Sequence, residues 1–262
     1  ITRVVDATVP GDLMAAYREA ARGGFLTVPT ILFPTSTAGY LEAPWDAFDG
    51  PVTGEADGLL TVGPVKLVFD GGTACAMCLS VWQSLGSAVG ACRMSLRQRS
   101  LDPIRAMMRV SPRLGRKIRT GIHFYRPEEA TAIVRAAIER GFGVATHATG
   151  NEAVETAVTA YEAVGSRMHR AWIPRIEHAA FLDRALVSRI SAVGAAAVVQ
   201  PRFLAEPMFG SAASIPGIRM FPLRRLLDAG VKVAGSSDFP CAGMDPLDGI
   251  RAAISRRTCR GH

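Results

Sequence analysis

Short apolar runs alternate with amphipathic stretches along most of the chain. Residues 2–7 (TRVVDA) predict a short buried strand, and residues 11–22 (GDLMAAYREAAR) a helix stopped by Gly23 and Gly24. Residues 26–34 predict the next strand, and 64–69 (PVKLVF) a compact apolar one closed by Asp70-Gly71-Gly72. Residues 35–62 have no sustained period and read as loop. Residues 73–126 read as an irregular insertion of partly helical loops, holding three Cys, four Met and a run of Arg. Regular pattern then returns. A helix over 127–140 opens with Pro and with acids in its first turn, which suits the helix dipole. Strands follow at 142–148 (FGVATHA), 174–179 (PRIEHA), 195–201 (AAAVVQP) and 231–238 (VKVAGSSD). Helices follow at 151–164, 182–193, 221–229 and 246–256.

Seven strands alternating with helices predict a parallel sheet covered by helices. The expected fold class is α/β: an incomplete (β/α)8 TIM-like barrel with about seven strands, forming one domain over 1–262. A doubly wound open sheet is the competing arrangement. No GxGxxG after a strand and no P-loop supports it. The length of 262 residues suits a barrel of roughly 250 residues. An apolar fraction of 48% against 20% charged allows a sizeable core and excludes wholesale disorder. No run of eighteen apolar residues occurs, so no membrane partner is expected. The first residue is Ile and the chain opens directly into a strand-like run. A signal peptide is therefore not expected, and the chain is expected to begin inside a longer reading frame or after processing. Five Cys form neither a disulfide framework nor an even set, so a reducing, cytoplasmic compartment is expected.

The net charge of +7 comes from an unusual source. Lys occurs only at Lys66, Lys117 and Lys232, and every other one of the 30 basic residues is Arg. Many of these sit together: Arg93, Arg97, Arg99, Arg105, Arg109, Arg113, Arg116, Lys117, Arg119 and Arg126. Such a run attracts polyanions. It lacks the interleaved aromatics that stack on bases, so a solvated or partner-docking loop is expected and no nucleic-acid partner.

Candidate chemistry lies in or at the ends of four predicted strands: Lys66, His147, His178 and Asp238. In a parallel α/β barrel the C-terminal strand ends converge on one face, so residues remote in sequence can meet. Two imidazoles and a carboxylate suit zinc or a similar divalent ion. Lys66 stands in the middle of an apolar strand, where burial favours the neutral amine. A neutral amine is nucleophilic. It can form a Schiff base with a carbonyl, as in an aldolase-type barrel, or take up carbon dioxide as a carbamate that bridges two metal ions. Arg could do neither.

The segments GPVKLVFDGG (63–72), HATGNEA (147–153), RIEHAA (175–180), VVQPRF (198–203) and AGVKVAGSSDFPCAGMDPLDGI (229–250) resemble the YtcJ-like branch of the metal-dependent amidohydrolases. That group includes N-substituted formamide deformylases. The resemblance runs from about residue 1 to 257 and is strongest from 142 onward. It implies a distorted (β/α)8 barrel with one or two divalent ions, zinc being the expected metal. It implies His147 and His178 as metal ligands from the fifth and sixth strands. Asp238 becomes a ligand and the catalytic general base, and Lys66 the fourth-strand ligand, carboxylated where two ions bind. The implied activity is hydrolysis of a carbon–nitrogen bond in a small-molecule linear amide or N-substituted formamide by metal-activated hydroxide.

Three departures accompany the resemblance. Nothing here matches the family's first-strand His-x-His pair, and nothing matches its β-sandwich segments. Asn151 stands where the pattern HA-x-GD has an acid. The chain is therefore expected to be a partial barrel. Strand edges at 2–7 and 231–238 are expected to lack partners, unless a homo-oligomer covers them.

Blander readings stand beside these. Asp238 could cap the following helix. Lys66 could snorkel from its strand, as Lys232 is expected to do. Cys75 and Cys78 form a single CxxC, a weak zinc or redox signal that more often marks structure. His123, His169 and His262 read as surface or loop residues. Glu177 should point away from the His178 side of its strand.

Overall fold

The structure is a computed structural model. It describes residues 2–36, 49–72, 74–101, 104–105, 112–113, 115, 117–165, 167, 172–205 and 215–257. Arg109, Arg116, His169 and His262 lie outside the described residues. Among the described residues the elements run in chain order β1 (Val4–Val9), α1 (Gly11–Arg22), β2 (Thr30–Pro34), β3 (Ala56–Asp57), β4 (Leu60–Val62), β5 (Val65–Val68), β6 (Met77–Leu79), α2 (Val81–Gln98) and β7 (Ile118–Thr120). They continue with α3 (Pro127–Glu139), β8 (Val144–Ala148), α4 (Asn151–Val164), β9 (Arg175–His178), β10 (Phe181–Leu182), α5 (Arg184–Ala192) and β11 (Ala196–Val199). After a 3-10 turn at Pro201–Ala205 come β12 (Arg219–Met220), α6 (Leu223–Asp228), β13 (Val233–Gly235) and α7 (Pro246–Ser255). The protein is α/β, and its ladders between successive long strands are parallel. None of the described helices is long and apolar enough to cross a membrane.

The chain divides into two compact units. The first holds Ile1–Phe69, Phe124–His147 and Thr156–Arg175. Here β1, β2, β4 and β3 form a sheet in that order, with β1 at one edge. Val9, Met14, Leu32 and Leu60 are buried between this sheet and α1, with Tyr17, Ala21 and Leu26 against them. Strand β5 pairs parallel with β8. Val65 and Leu67 are buried, as are Val144 and Ala145, the pattern of strands covered on both faces. Tyr161, also buried, is hydrogen-bonded through its hydroxyl to Thr146 Oγ1 at 2.6 Å and to the Arg175 carbonyl at 3.1 Å.

The second unit holds Asp70–His123, Ala148–Glu155 and Ile176–His262. Strands β13, β11 and β9 lie in that order, with β13 at an edge. The two-stranded ladders β6–β7 and β10–β12 are antiparallel and join segments remote in sequence. Helix α5 is capped by Asp183, whose carboxylate accepts the Leu186 N–H, and it buries Leu186, Val187 and Ile190. Expected edges at both 2–7 and 231–238 are thus edges of their sheets.

Several sequence expectations are corrected. Strand β2 starts at Thr30 rather than 26, because the N–H groups of Phe25 and Leu26 close the end of α1 on the Ala20 carbonyl. The 35–62 segment contains β4, which pairs parallel with β2. It is too short to show a period and follows a two-residue turn with Gly58 at φ +57°. Within 73–126, expected to be irregular, lies the 18-residue helix α2, opened by a reciprocal capping box between Ser80 and Gln83. Its Trp82, Leu85, Val89 and Leu96 face outward, so no buried stripe marked it in the sequence. Strand β11 ends at Val199 because Pro201 begins the 3-10 turn, and β13 ends at Gly235, three residues before Asp238.

Candidate metal centre

Lys66 and His147 belong to the first unit, on the neighbouring parallel strands β5 and β8. Lys66 is in register with Ala145, and Val68 with His147. Side chains two residues apart share a face, so Lys66 and His147 project to the same side of this ladder. Lys66 is buried at 7% exposure, and its carbonyl accepts the Thr35 hydroxyl at 3.4 Å. The residue is therefore inside the protein and not snorkelling. His147 is half-buried, and its carbonyl accepts the Phe69 N–H at 3.0 Å.

His178 and Asp238 belong to the second unit. His178 is the last residue of β9, buried, and held at φ +74°. Asp238 follows β13 at φ +52° and is exposed. Both are non-glycine residues in the left-handed region, a conformation that costs about 1 kcal/mol or more and gathers at functional sites. The imidazole of His178 is oriented by a polar relay. Its Nδ1 lies 2.9 Å from Gln200 Oε1, and Gln200 Nε2 donates to Ser236 Oγ at 3.0 Å and to the Val198 carbonyl at 3.3 Å. Because Gln200 Nε2 is committed as a donor, Oε1 faces His178 and can only accept. Nδ1 therefore carries the ring proton, and Nε2 keeps the lone pair that a metal needs. Phe203 stacks parallel to the ring, with centroids 6.3 Å apart. Gln200 thus ties together the ends of β9, β11 and β13.

Asp238 does not cap the following helix. That role falls to Asp245, whose Oδ1 accepts the Leu247 N–H at 2.9 Å directly before Pro246. The Asp238 carbonyl accepts the Cys241 N–H at 2.7 Å. Glu177 is buried at 5% exposure beside His178, a buried acid that strand alternation did not foretell. Lys232 is exposed immediately before β13, as expected.

Among the described residues, no three His, Cys, Asp or Glu side chains are grouped so as to hold a metal ion. What fits a divalent cation is the chemistry of the donors: an oriented imidazole lone pair on His178, a second imidazole, an amine that can be carboxylated and a carboxylate. A cavity of about 320 Å³ lies beside α1 in the first unit, lined by Met14, Arg18, Leu32 and Leu60, and none of the four predicted residues lines it. A second, of about 180 Å³, belongs to the second unit, lined by Cys78, Ser80, Lys117, Asn151, Asp183 and Arg189.

Sequence reading missed Gln200 and Asp70 as supports. The signal for both was a polar residue ending an apolar strand. Cys75 and Cys78 are free thiols. Burial, then the nearby Asp70 charge, pushes Cys75 up to about 12, and burial likewise raises Cys78. Neither is poised as a redox nucleophile. His123 is half-buried, with no hydrogen-bond partner at Nε2, and burial lowers its pKa. In the Arg run, Arg119 pairs with Glu152 at 2.6 Å and Arg126 with Glu129 at 2.7 Å.

A parallel α/β sheet with histidines at strand ends is the architecture of a strand-end active site. The sequence matches the amidohydrolase family over residues 11–262, and the chain belongs to that family of enzymes. It is 30% identical over 151 residues to N-substituted formamide deformylase of Arthrobacter pascens, covering 56% of this chain and 28% of that protein. It is 32% identical over 141 residues to the putative amidohydrolase YtcJ of Bacillus subtilis, covering 53% of this chain and 26% of that protein. Among solved structures, it superposes with a TM-score of 0.68 on an uncharacterized metal-dependent hydrolase from Pyrococcus furiosus, at 20% identity. That match covers 97% of this chain and 46% of the other, and it shows a shared fold.

Proposed function

We propose that the protein is a metal-dependent hydrolase of carbon–nitrogen bonds, acting on a small-molecule linear amide or N-substituted formamide, and built on a (β/α)8-type barrel. The observation that carries this reading is the His178–Gln200–Ser236 relay, which leaves a metal-competent lone pair on a buried imidazole. Family membership and the names of the relatives support it. Lys66, His147, His178 and Asp238 would hold the metal, with zinc as the expected ion and two ions where Lys66 is carboxylated. A divalent ion, when bound, supplies polarisation of a carbonyl and brings the pKa of water down to about 7.

The chain's own residues do the rest. Gln200 keeps His178 in one tautomer. Asp238, exposed and without a helix to cap, accepts the proton of the attacking water and returns it to the departing amine. Phe203 covers one face of the His178 ring. Metal content and amidase activity test the reading. His178→Ala and Asp238→Ala should each abolish activity, and His178→Ala should also lower metal content. Full activity in both variants would defeat it.

One observation favours a second reading: Lys66 is buried on an apolar strand. A Schiff-base lyase would use that amine as nucleophile. Borohydride trapping with a carbonyl substrate in the presence of a chelator separates the two, since the hydrolase forms no adduct. The ion-paired Arg119 and Arg126 support a solvated basic surface rather than a nucleic-acid partner. A polyanion binder would lose affinity steeply with salt. The β1 and β13 edges support a homo-oligomer as their cover, and the free cysteines support a reducing, cytoplasmic location.

A further inference from the structure

The turn that follows His147 is strapped to a distant segment at four successive residues. Asp70 Oδ1 accepts the Thr149 N–H at 2.9 Å, and Oδ2 accepts the Gly150 N–H at 2.8 Å and the Ala76 N–H at 2.9 Å. Asp70 is fully buried. A carboxylate there needs charge-assisted donors, and three backbone N–H groups from two separate segments supply them. Asn151 makes the next tie. Its Oδ1 accepts the Cys78 N–H at 2.9 Å, and its Nδ2 donates to the Cys78 carbonyl at 2.8 Å. Only a carboxamide answers both groups. A carboxylate would turn a lone pair on the Cys78 carbonyl. Glu152 N–H then donates to the Ala76 carbonyl at 3.1 Å. Gly150 lets the backbones touch, since a Cβ there would lie 1.9 Å from the Ala76 oxygen.

We infer that Asp70 and Asn151 are positioning residues: they lock the turn immediately downstream of His147 and so set the direction of that imidazole. The amide at 151, where the HA-x-GD pattern has an acid, is matched to the Cys78 peptide that it grips. Cys78 and Asn151 also line the 180 Å³ cavity, so the same strap fixes part of its wall. The functional consequence rests on His147 being a site residue of the proposed hydrolase.

The test uses the full chain, metal-free and labelled with ¹⁵N-histidine, with the His147 signal assigned through His147→Gln. Asp70→Asn and Asn151→Asp should each shift the His147 ring resonances while leaving those of His178 and the circular dichroism in place. Cobalt(II), titrated as the metal probe, should bind about tenfold or more weakly in each variant. Unmoved His147 signals in folded variants would overturn the inference. If the variants do not fold, amide exchange in the unaltered protein decides it: Thr149, Gly150 and Cys78 N–H groups protected like the β8 core support the strap, and fast exchange refutes it. If the unaltered chain binds no cobalt but the His147 signals still respond, the positioning role stands and the metal reading falls.

Discussion

Gln200 Oε1 accepts the Nδ1 proton of His178 at 2.9 Å, and this pairing decides which nitrogen of that ring carries the hydrogen. Replacing the amide with Leu removes the acceptor and releases the tautomer. Gln200→Leu should weaken zinc affinity by roughly 10–100-fold, measured by competition with a chromogenic chelator. Gln200→Glu keeps an acceptor and should retain affinity. Equal affinity for the Leu variant would show that the relay has no part in metal binding.

Gly150 is closed to any side chain by the Ala76 backbone. Gly150→Ala should destabilise the fold by roughly 3 kcal/mol, the upper end of overpacking penalties, read by urea denaturation. A stability loss below about 1 kcal/mol would mean that the two segments separate easily.

Burial, the hydrogen bond to Asp6 and the Asp6 charge push Tyr17 up to about 12. Its hydroxyl donates to Asp6 Oδ2 at 2.8 Å. The folded state holds the phenol protonated, while the unfolded chain releases that proton near pH 10. The contribution to stability is therefore complete below pH 10 and is lost as pH rises toward 12. Tyr17→Phe should flatten that part of the stability curve. Tyr17 is partly exposed, so the effect is modest.

Of the four described cysteines, Cys92 is exposed, whereas the thiols of Cys75, Cys78 and Cys241 are all pushed up, chiefly by burial. At pH 8 a disulfide reagent should modify Cys92 ahead of those three, and Cys75 only on unfolding. Mass spectrometry of the labelled peptides reads the order. Early labelling at Cys75 would reopen the CxxC as a reactive pair.

The sequence carried its clearest signal where burial and period coincide. Residues 151–164 carry a helical period with the observed bounds, and the β5, β8 and β9 segments stand out as short strand-like runs bounded by turns or helices, β5 and β8 being mostly apolar. Lys66, His147 and His178 were legible as polar interruptions of those runs. Helix α2 was not, because its apolar residues point outward and among small and basic neighbours. Strand β4 is too short to express any period. The supporting groups show in the sequence only as polar residues ending apolar strands: Asp70 and Gln200 act through hydrogen bonds to residues far along the chain, and no local pattern encodes those partners.

Asp245 secures the start of the last helix by itself, and this relieves Asp238 of that duty. Asp238 is tied to the fold by its main-chain bond to the Cys241 N–H and by a side-chain hydrogen bond from the Cys241 thiol. With Cys241→Ala as the control for that thiol bond, loss of turnover on removing the Asp238 side chain can therefore be read as a statement about chemistry.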